Sequence, residues 1–220
     1  MVSPEADSEE EEAVRGNLIG MFWTVVLVCS CWTVALFIKH KKPISSFRRE
    51  LARKFVHIGV SNWFFIYACF FTCWIYPVAG LLFFAVVNYF IEIKTGTRRS
   101  YGTVYFPLVI IIMIVFKECG FGTVTNVGCG LLGMGYADGL AALIGMKFGK
   151  RKMPYTSNKS VIGSLSVMFI TAVVILLLTE MSVFSALVIG FLTMLAEAYT
   201  PYGLDNFSVP LVIYCLTAVL

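Results

Sequence analysis

GCGLLGMGYADGLAALIGMKFGK, residues 128–150, decides how this chain is to be read. From Gly128 to Met146 its only charged residue is Asp138. A run this long and apolar approaches the ~20 residues that cross a bilayer as a helix. An ionisable group inside such a run is costly and is a functional candidate by default. The segment is also dense in glycine, and Gly135–Gly139 and Gly145–Gly149 have the G-x-x-x-G spacing that lets helices approach closely. Two readings follow. One is a tight packing seam with Asp138 hydrogen-bonded inside it. The other is a helix that opens around Asp138 and Gly139 and turns backbone N–H groups toward an anion. Broken membrane helices are tolerated where they line a polar cavity.

The rest of the chain has the same character. Apolar residues make up 59% and charged residues 14%, against about 25% charged in a soluble domain, so a soluble fold could not cover its own surface. Eight apolar blocks predict spans near 18–38, 56–73, 75–92, 103–116, 123–146, 161–179, 182–199 and 207–220; the fourth and eighth are short for full crossings. The fold class is all-α, a polytopic membrane bundle of about seven or eight transmembrane helices. Residues 1–16 hold six of the thirteen acids and cannot bury a core, which predicts a disordered acidic tail. Residues 17–220 then form a single transmembrane catalytic domain. The seven cysteines lie mostly inside apolar blocks and read as small packing residues.

Charge sets the expected orientation. Formal net charge is +4, and fifteen of the seventeen Lys and Arg fall in three loops on one side of an eight-span bundle; Arg15 and Lys117 fall opposite. The basic side is expected to be cytoplasmic. Residues 47–57, Phe-Arg-Arg-Glu-Leu-Ala-Arg-Lys-Phe-Val-His, lack a helix breaker and repeat Phe47, Leu51 and Phe55 every four residues. They predict an interfacial amphipathic helix leading into the second span. The plainest role for such a helix is a membrane-surface anchor.

Chemistry concentrates on the basic side. The loop KFGKRKMPYTSNKSVIGS (147–164) offers Lys147, Lys150, Arg151, Lys152 and Lys159, with Ser160, Gly163 and Ser164 where the sixth span begins. A helix N-terminus with Lys and Ser beside it favours a bound phosphate, although basic loops are also ordinary topology signals. Glu92, Glu197 and Asp205-Asn206 end spans on this face. Carboxylates beside a polyphosphate site imply a hard divalent cation, most often Mg²⁺, or a general base toward a hydroxyl. His57 is a further candidate, although a lone interfacial histidine is more often a hydrogen-bonding residue than a ligand.

These residues resemble the membrane family that includes dolichol kinase, phytol kinase and the CTP-dependent diacylglycerol kinase. The likeness rests on RKFVHIGVSNW (53–63), YGTVYFP (101–107), GYADGLAALIGMKFGK through NKSVIGS (135–164) and EAYTPYGLDNFSVPL (197–211). The resemblance implies phosphoryl transfer, typically from CTP, to a long-chain lipid alcohol. It implies that Arg53 and Lys54 match an activity-bearing Arg-Lys pair and that Asp138 and Gly145 match an essential Asp and Gly. Lys159, Glu197, Asp205 and Asn206 match further motifs. Two positions depart from the family pattern: Ala137 stands where relatives often have Gly, and Leu204 where they often have the first Asp of Asp-Asp-Asn. The second departure puts a second metal ligand in question.

The expected protein is therefore an integral, multi-pass lipid kinase of a bacterial plasma membrane or the ER membrane, with its site toward the cytoplasm. Asp138, Arg53 and Lys54 are the expected catalytic residues. Gly139, Gly145, Lys150, Lys159, Ser160, Gly163 and Ser164 are expected to bind the nucleoside triphosphate, and Asp138, Glu197 and Asp205 the Mg²⁺. The acceptor is diacylglycerol, a polyprenol or dolichol, or phytol, and no nucleic-acid partner is expected. The same residues also suit a cytidylyltransferase that makes a CDP-lipid. A transporter of lipid phosphate or anions is the non-enzymatic alternative, against which stands the lack of an inverted repeat of spans.

Overall fold

The computed structural model describes residues 4–40, 46–95, 101–153, 159–200 and 203–220. Lys41, Lys42, Arg98, Arg99 and Asn158 of the basic loops lie outside the described residues. Among the described residues there are nine helices and no strand: α1 (Pro4–His40), α2 (Ser46–Ser61), α3 (Trp63–Phe70), α4 (Ile75–Thr95), α5 (Gly102–Glu118), α6 (Val124–Phe148), α7 (Val161–Leu178), α8 (Val183–Tyr199) and α9 (Asp205–Val219). Within α1, α4, α6 and α7, four stretches are long and apolar enough to cross a membrane: 8–38, 75–94, 124–148 and 161–178. α8 and α9 are shorter apolar helices.

Each predicted block forms a helix, with two differences. The expected second span is broken into α2 and α3 at Asn62, whose side chain donates to the Ile58 carbonyl at 2.8 Å and accepts from Tyr136 at 3.1 Å. The tail is the other difference. α1 begins at Pro4, so residues 4–16, expected to be disordered, are helical. Thirty-seven residues of helix extend about 55 Å, well beyond a hydrocarbon core of about 30 Å. The surplus carries the acids, exposed from Ser8 to Glu12, and an exposed helix can hold them without burying any.

Helix α6 is the hub, packed against α2, α7, α9 and α5. Its glycines make that possible. A Cβ at Gly128 would strike the Phe64 ring, one at Gly135 would strike Ser61, and one at Gly139 would strike Ile58. Toward α7, Gly145 and Gly163 lie against each other. The seam reading of this segment is therefore correct, and α6 runs unbroken through Asp138 rather than opening there. The main core lies among α3, α5, α6 and α9, with Ile110, Met113, Leu131, Met134 and Ile213 almost wholly buried.

The amphipathic stretch 47–57 forms the first part of α2, but its buried side is not the phenylalanine side. Phe47 and Phe55 are exposed, while Ala52 and Lys54 are buried. A charge pointing inward needs a partner there, and this leads to the site.

Candidate functional site

Asp138 lies ten residues before the end of α6, and a carboxylate at that depth is costly without a counter-charge. Lys54 supplies it. The α2–α6 seam at Gly135 and Gly139 brings Lys54 level with Asp138, and its Nζ donates to Oδ2 at 2.5 Å. Lys54 is only 2% exposed, so this pair faces the protein rather than solvent. One turn further along α2, His57 places Nε2 3.6 Å from the same oxygen, too long for a hydrogen bond, with its ring 5.0 Å from that of Phe106. Arg53 points to the cavity mouth, where Glu50 holds it through Nη2 at 2.6 Å and Nε at 3.1 Å.

A second pair faces the first. Lys159 precedes Ser160, the N-cap of α7, whose Oγ accepts from Gly163 N at 3.1 Å. The Lys159 ammonium donates to Glu197 Oε1 at 2.5 Å and to the Glu197 carbonyl, and it lies 3.9 Å from Asp205 Oδ2. The strand-like pairing of Lys152 with Ser160 secures this segment through Met153 N to Lys159 O (2.9 Å) and Val161 N to Arg151 O (3.0 Å). Asp205 opens α9 just after Gly203, whose φ of 84° lets the chain turn sharply out of α8.

The result is a cluster of three carboxylates from three helices. One oxygen each from Asp138, Glu197 and Asp205 lie within 4.8 Å of one another. Glu197 Oε2 is buried without a hydrogen-bond partner. Burial pushes the Asp205 carboxyl, which precedes the span 207–220, above its ordinary pKa; Asp138 pushes the same way, and Lys159 and Lys54 pull against both. Three hard oxygen donors at this spacing, one with a spare buried lone pair, are a fitting donor set for a divalent cation.

The cluster forms one wall of a cavity of about 490 Å³. The cavity gathers ten of the residues expected from sequence: Arg53, Lys54, Asp138, Gly145, Lys159, Ser160, Gly163, Ser164, Glu197 and Asp205. Five others do not line it. Gly139 is spent on packing against Ile58, and Lys150 is exposed, with Lys152 on the wall instead. His57 lies behind Asp138. Glu92 accepts a hydrogen bond from Thr103, joining α4 to α5, and the Asn206 N–H donates to Asp205 Oδ1 at 3.0 Å. Sequence reasoning missed Glu50, which also lines the cavity. Its signal was its place three and four residues before Arg53 and Lys54, where helical side chains meet. The seven cysteines are free thiols.

No protein-family model matches the chain, and no solved structure matches it. Over 183 residues it is 31% identical to phytol kinase of Synechocystis sp., with 74% of this chain and 76% of that protein covered.

Proposed function

The chain belongs to the polyprenol and phytol kinase family, and we propose that it is a CTP-dependent kinase of a membrane lipid alcohol. The acceptor class is diacylglycerol, a polyprenol or dolichol, or phytol. One observation carries the reading. Three carboxylates from α6, α8 and α9 converge on the wall of a cavity whose other polar walls are the cationic side chains of Arg53, Lys54, Lys152 and Lys159, Glu50 beside Arg53, and the first turn of α7. Acids alone would suit a cation and bases alone an anion. Both together suit a nucleoside triphosphate with its metal.

In this reading Asp138, Glu197 and Asp205 hold Mg²⁺, which neutralises polyphosphate charge when bound. Lys54 orients Asp138, and Lys159 orients Glu197. Arg53, Lys152 and the backbone N–H groups at the start of α7 take the phosphate oxygens. The acceptor's oxygen forms a bond to the γ-phosphorus as its O–H proton passes to a carboxylate of the cluster acting as general base, the bond to the β–γ bridging oxygen breaks, and CDP leaves. Such transfer is mostly positioning and charge stabilisation, which a rigid helical cage supplies. The acceptor keeps its chains in the bilayer and brings only its hydroxyl to the site. The cavity end carries the basic loops, which supports a cytoplasmic active site in a bacterial plasma membrane or the ER membrane.

The test is purified protein in mixed micelles with labelled CTP, ATP, GTP or UTP, Mg²⁺ and each alcohol. A phosphorylated lipid with free CDP is the expected product. A CMP-bearing lipid with pyrophosphate would move the protein to cytidylyl transfer. No labelled lipid from any alcohol would overturn the kinase reading.

Glu50 gives a second expectation. Its carboxylate occupies Arg53 at the cavity mouth and adds negative charge where phosphates enter. Glu50→Gln is expected to tighten pyrophosphate binding about two- to fivefold, the size of an exposed ion pair. Calorimetry on the resting protein checks this, and weaker binding would mean that Glu50 holds Arg53 in its working position.

A further inference from the structure

The cavity's inner wall contains two polar atoms without protein partners, Ser164 Oγ and Glu197 Oε2. The pattern does not stop there. Thr193 Oγ1 and Thr171 Oγ1 are also buried without a hydrogen-bond partner, and both residues are 0% exposed. The four residues are related by helix geometry. Ser164 and Thr171 are seven apart on α7, and Thr193 and Glu197 are four apart on α8, so each pair shares one helix face.

The register between α7 and α8 puts the two faces in series. The helices run antiparallel through the turn at 179–182 and pack closely where Gly190 meets the Met168 carbonyl. Lys159 meets Glu197 at the cavity end. Reading inward from the cavity, the order is Glu197 and Ser164, then Thr193, then Met168 beside Gly190, then Thr171. Thr171 lies about 10 Å deeper along α7 than Ser164. The neighbouring apolar side chains are small or flexible, a separate cluster of Ala137, Ala141, Val167 and Met194.

A buried hydroxyl or carboxylate oxygen left unpaired is costly, and hydroxyls of helical Thr and Ser usually bond the carbonyl four residues back. Thr24, Ser166, Thr179 and Thr217 do so here. Ser164, Thr171 and Thr193 do not. Three such exceptions in series, ending at a carboxylate with a spare oxygen, call for a ligand that is small and both donates and accepts. We propose that water fills this tract, as bound molecules on either side of the close Gly190–Met168 contact, from the carboxylate cluster to two turns into the α7–α8 interface. The water supplies the missing bonds to Glu197 Oε2 and to the three hydroxyls. Ser164 and Thr193 are then positioning residues that act on Glu197 through water, and Thr171 holds the inner water.

The test needs neither nucleotide nor lipid, so its outcome is separate from that of the kinase reading. Thr193→Val and Thr171→Val keep side-chain shape and remove the hydroxyl. If the tract is hydrated, each lowers Tm by a few degrees, because a bonded network is broken. If it is dry, each leaves Tm unchanged or raises it, because an unpaired polar group is removed, and the proposal is overturned. Radiolytic hydroxyl-radical labelling of the full chain in detergent provides a second readout. Met194 beside the tract is 7% exposed, whereas Met113 and Met134 are wholly buried, so the comparison is Met194's own rate in the wild type against Thr193→Val. Equal rates would overturn the proposal. Thr193→Val should slow Met194 oxidation at least threefold.

Discussion

Lys54→Met is expected to destabilise the protein by about 3 kcal/mol and to abolish phosphoryl transfer. The stability loss follows from burial. Lys54 and Asp138 meet at 2.5 Å with side chains 3% and 12% exposed, and removing one partner of such a pair leaves an uncompensated charge, a loss of about 3–5 kcal/mol for a fully buried pair. The residual exposure of Asp138 places the value at the lower end. The activity loss follows from position. An Asp138 carboxylate without its ammonium is no longer oriented at the cavity wall, and loss of one preorganised electrostatic group costs about a hundredfold or more in rate. The double variant Lys54→Met/Asp138→Asn separates the two effects. It removes both charges and is expected to recover most of the lost stability in a detergent melt, while remaining inactive in the labelled-CTP assay. Full activity in Asp138→Asn alone would remove Asp138 from the site.

Gly135→Ala is expected to be almost as damaging, although it only changes one hydrogen to a methyl group, which would meet Ser61 and not a charged group. An added Cβ would lie 1.9 Å from Ser61 Oγ and 2.3 Å from Ser61 Cβ, and Ser61 is itself 0% exposed. The hydroxyl could rotate away, but Ser61 Cβ is fixed to the backbone, so the helices must part. Overpacking of this kind costs about 1–3 kcal/mol. Lys54 lies two turns from Ser61 on the same face of α2, so a parted seam also lengthens the contact to Asp138. Misplacing a catalytic group by about 1 Å can cost a hundredfold, and at least a tenfold loss of activity is expected. Ser61→Gly added to Gly135→Ala reopens the seam and is expected to restore both stability and activity. If Gly135→Ala retains wild-type activity, the α2–α6 seam is not what positions Lys54.

The helices were legible because bilayer-length apolar blocks leave few alternatives. Predicted α7 and α8 match their observed bounds within one residue at each end, and α6 within two. The break at Asn62 was not legible. It depends on Tyr136, seventy-four positions away, bonding the Asn62 side chain. The inward turn of Lys54 was hidden for a related reason. Periodicity in 47–57 marks a phenylalanine stripe as the apolar face, and only the glycine seam on α6 decides that the other face is buried. The convergence of Asp138, Glu197 and Asp205 was anticipated from the side on which each falls: Glu197 and Asp205 flank the turn between α8 and α9, and Asp138 approaches the same basic end from inside α6. Lys150 and Lys152 could not be ranked by sequence. Two residues apart in a basic loop, they are separated by the backbone pairing of Lys152 with Ser160.

The Lys54–Asp138 pair also sets an order of events during synthesis. Its partners are 84 residues apart in the chain. At roughly 5–20 residues per second, the Lys54 ammonium emerges from the ribosome roughly 4–17 s before the carboxylate that neutralises it. Throughout that interval Lys54 has only Glu50, 3.9 Å away on the same helix, as a counter-charge, and its four-carbon stem lets the ammonium stay at the membrane surface. Helix α2 therefore docks late, on a face of α6 that exists only once the glycine seam has been made. The helix that carries Lys54 is made before α6 and reaches its place only after it.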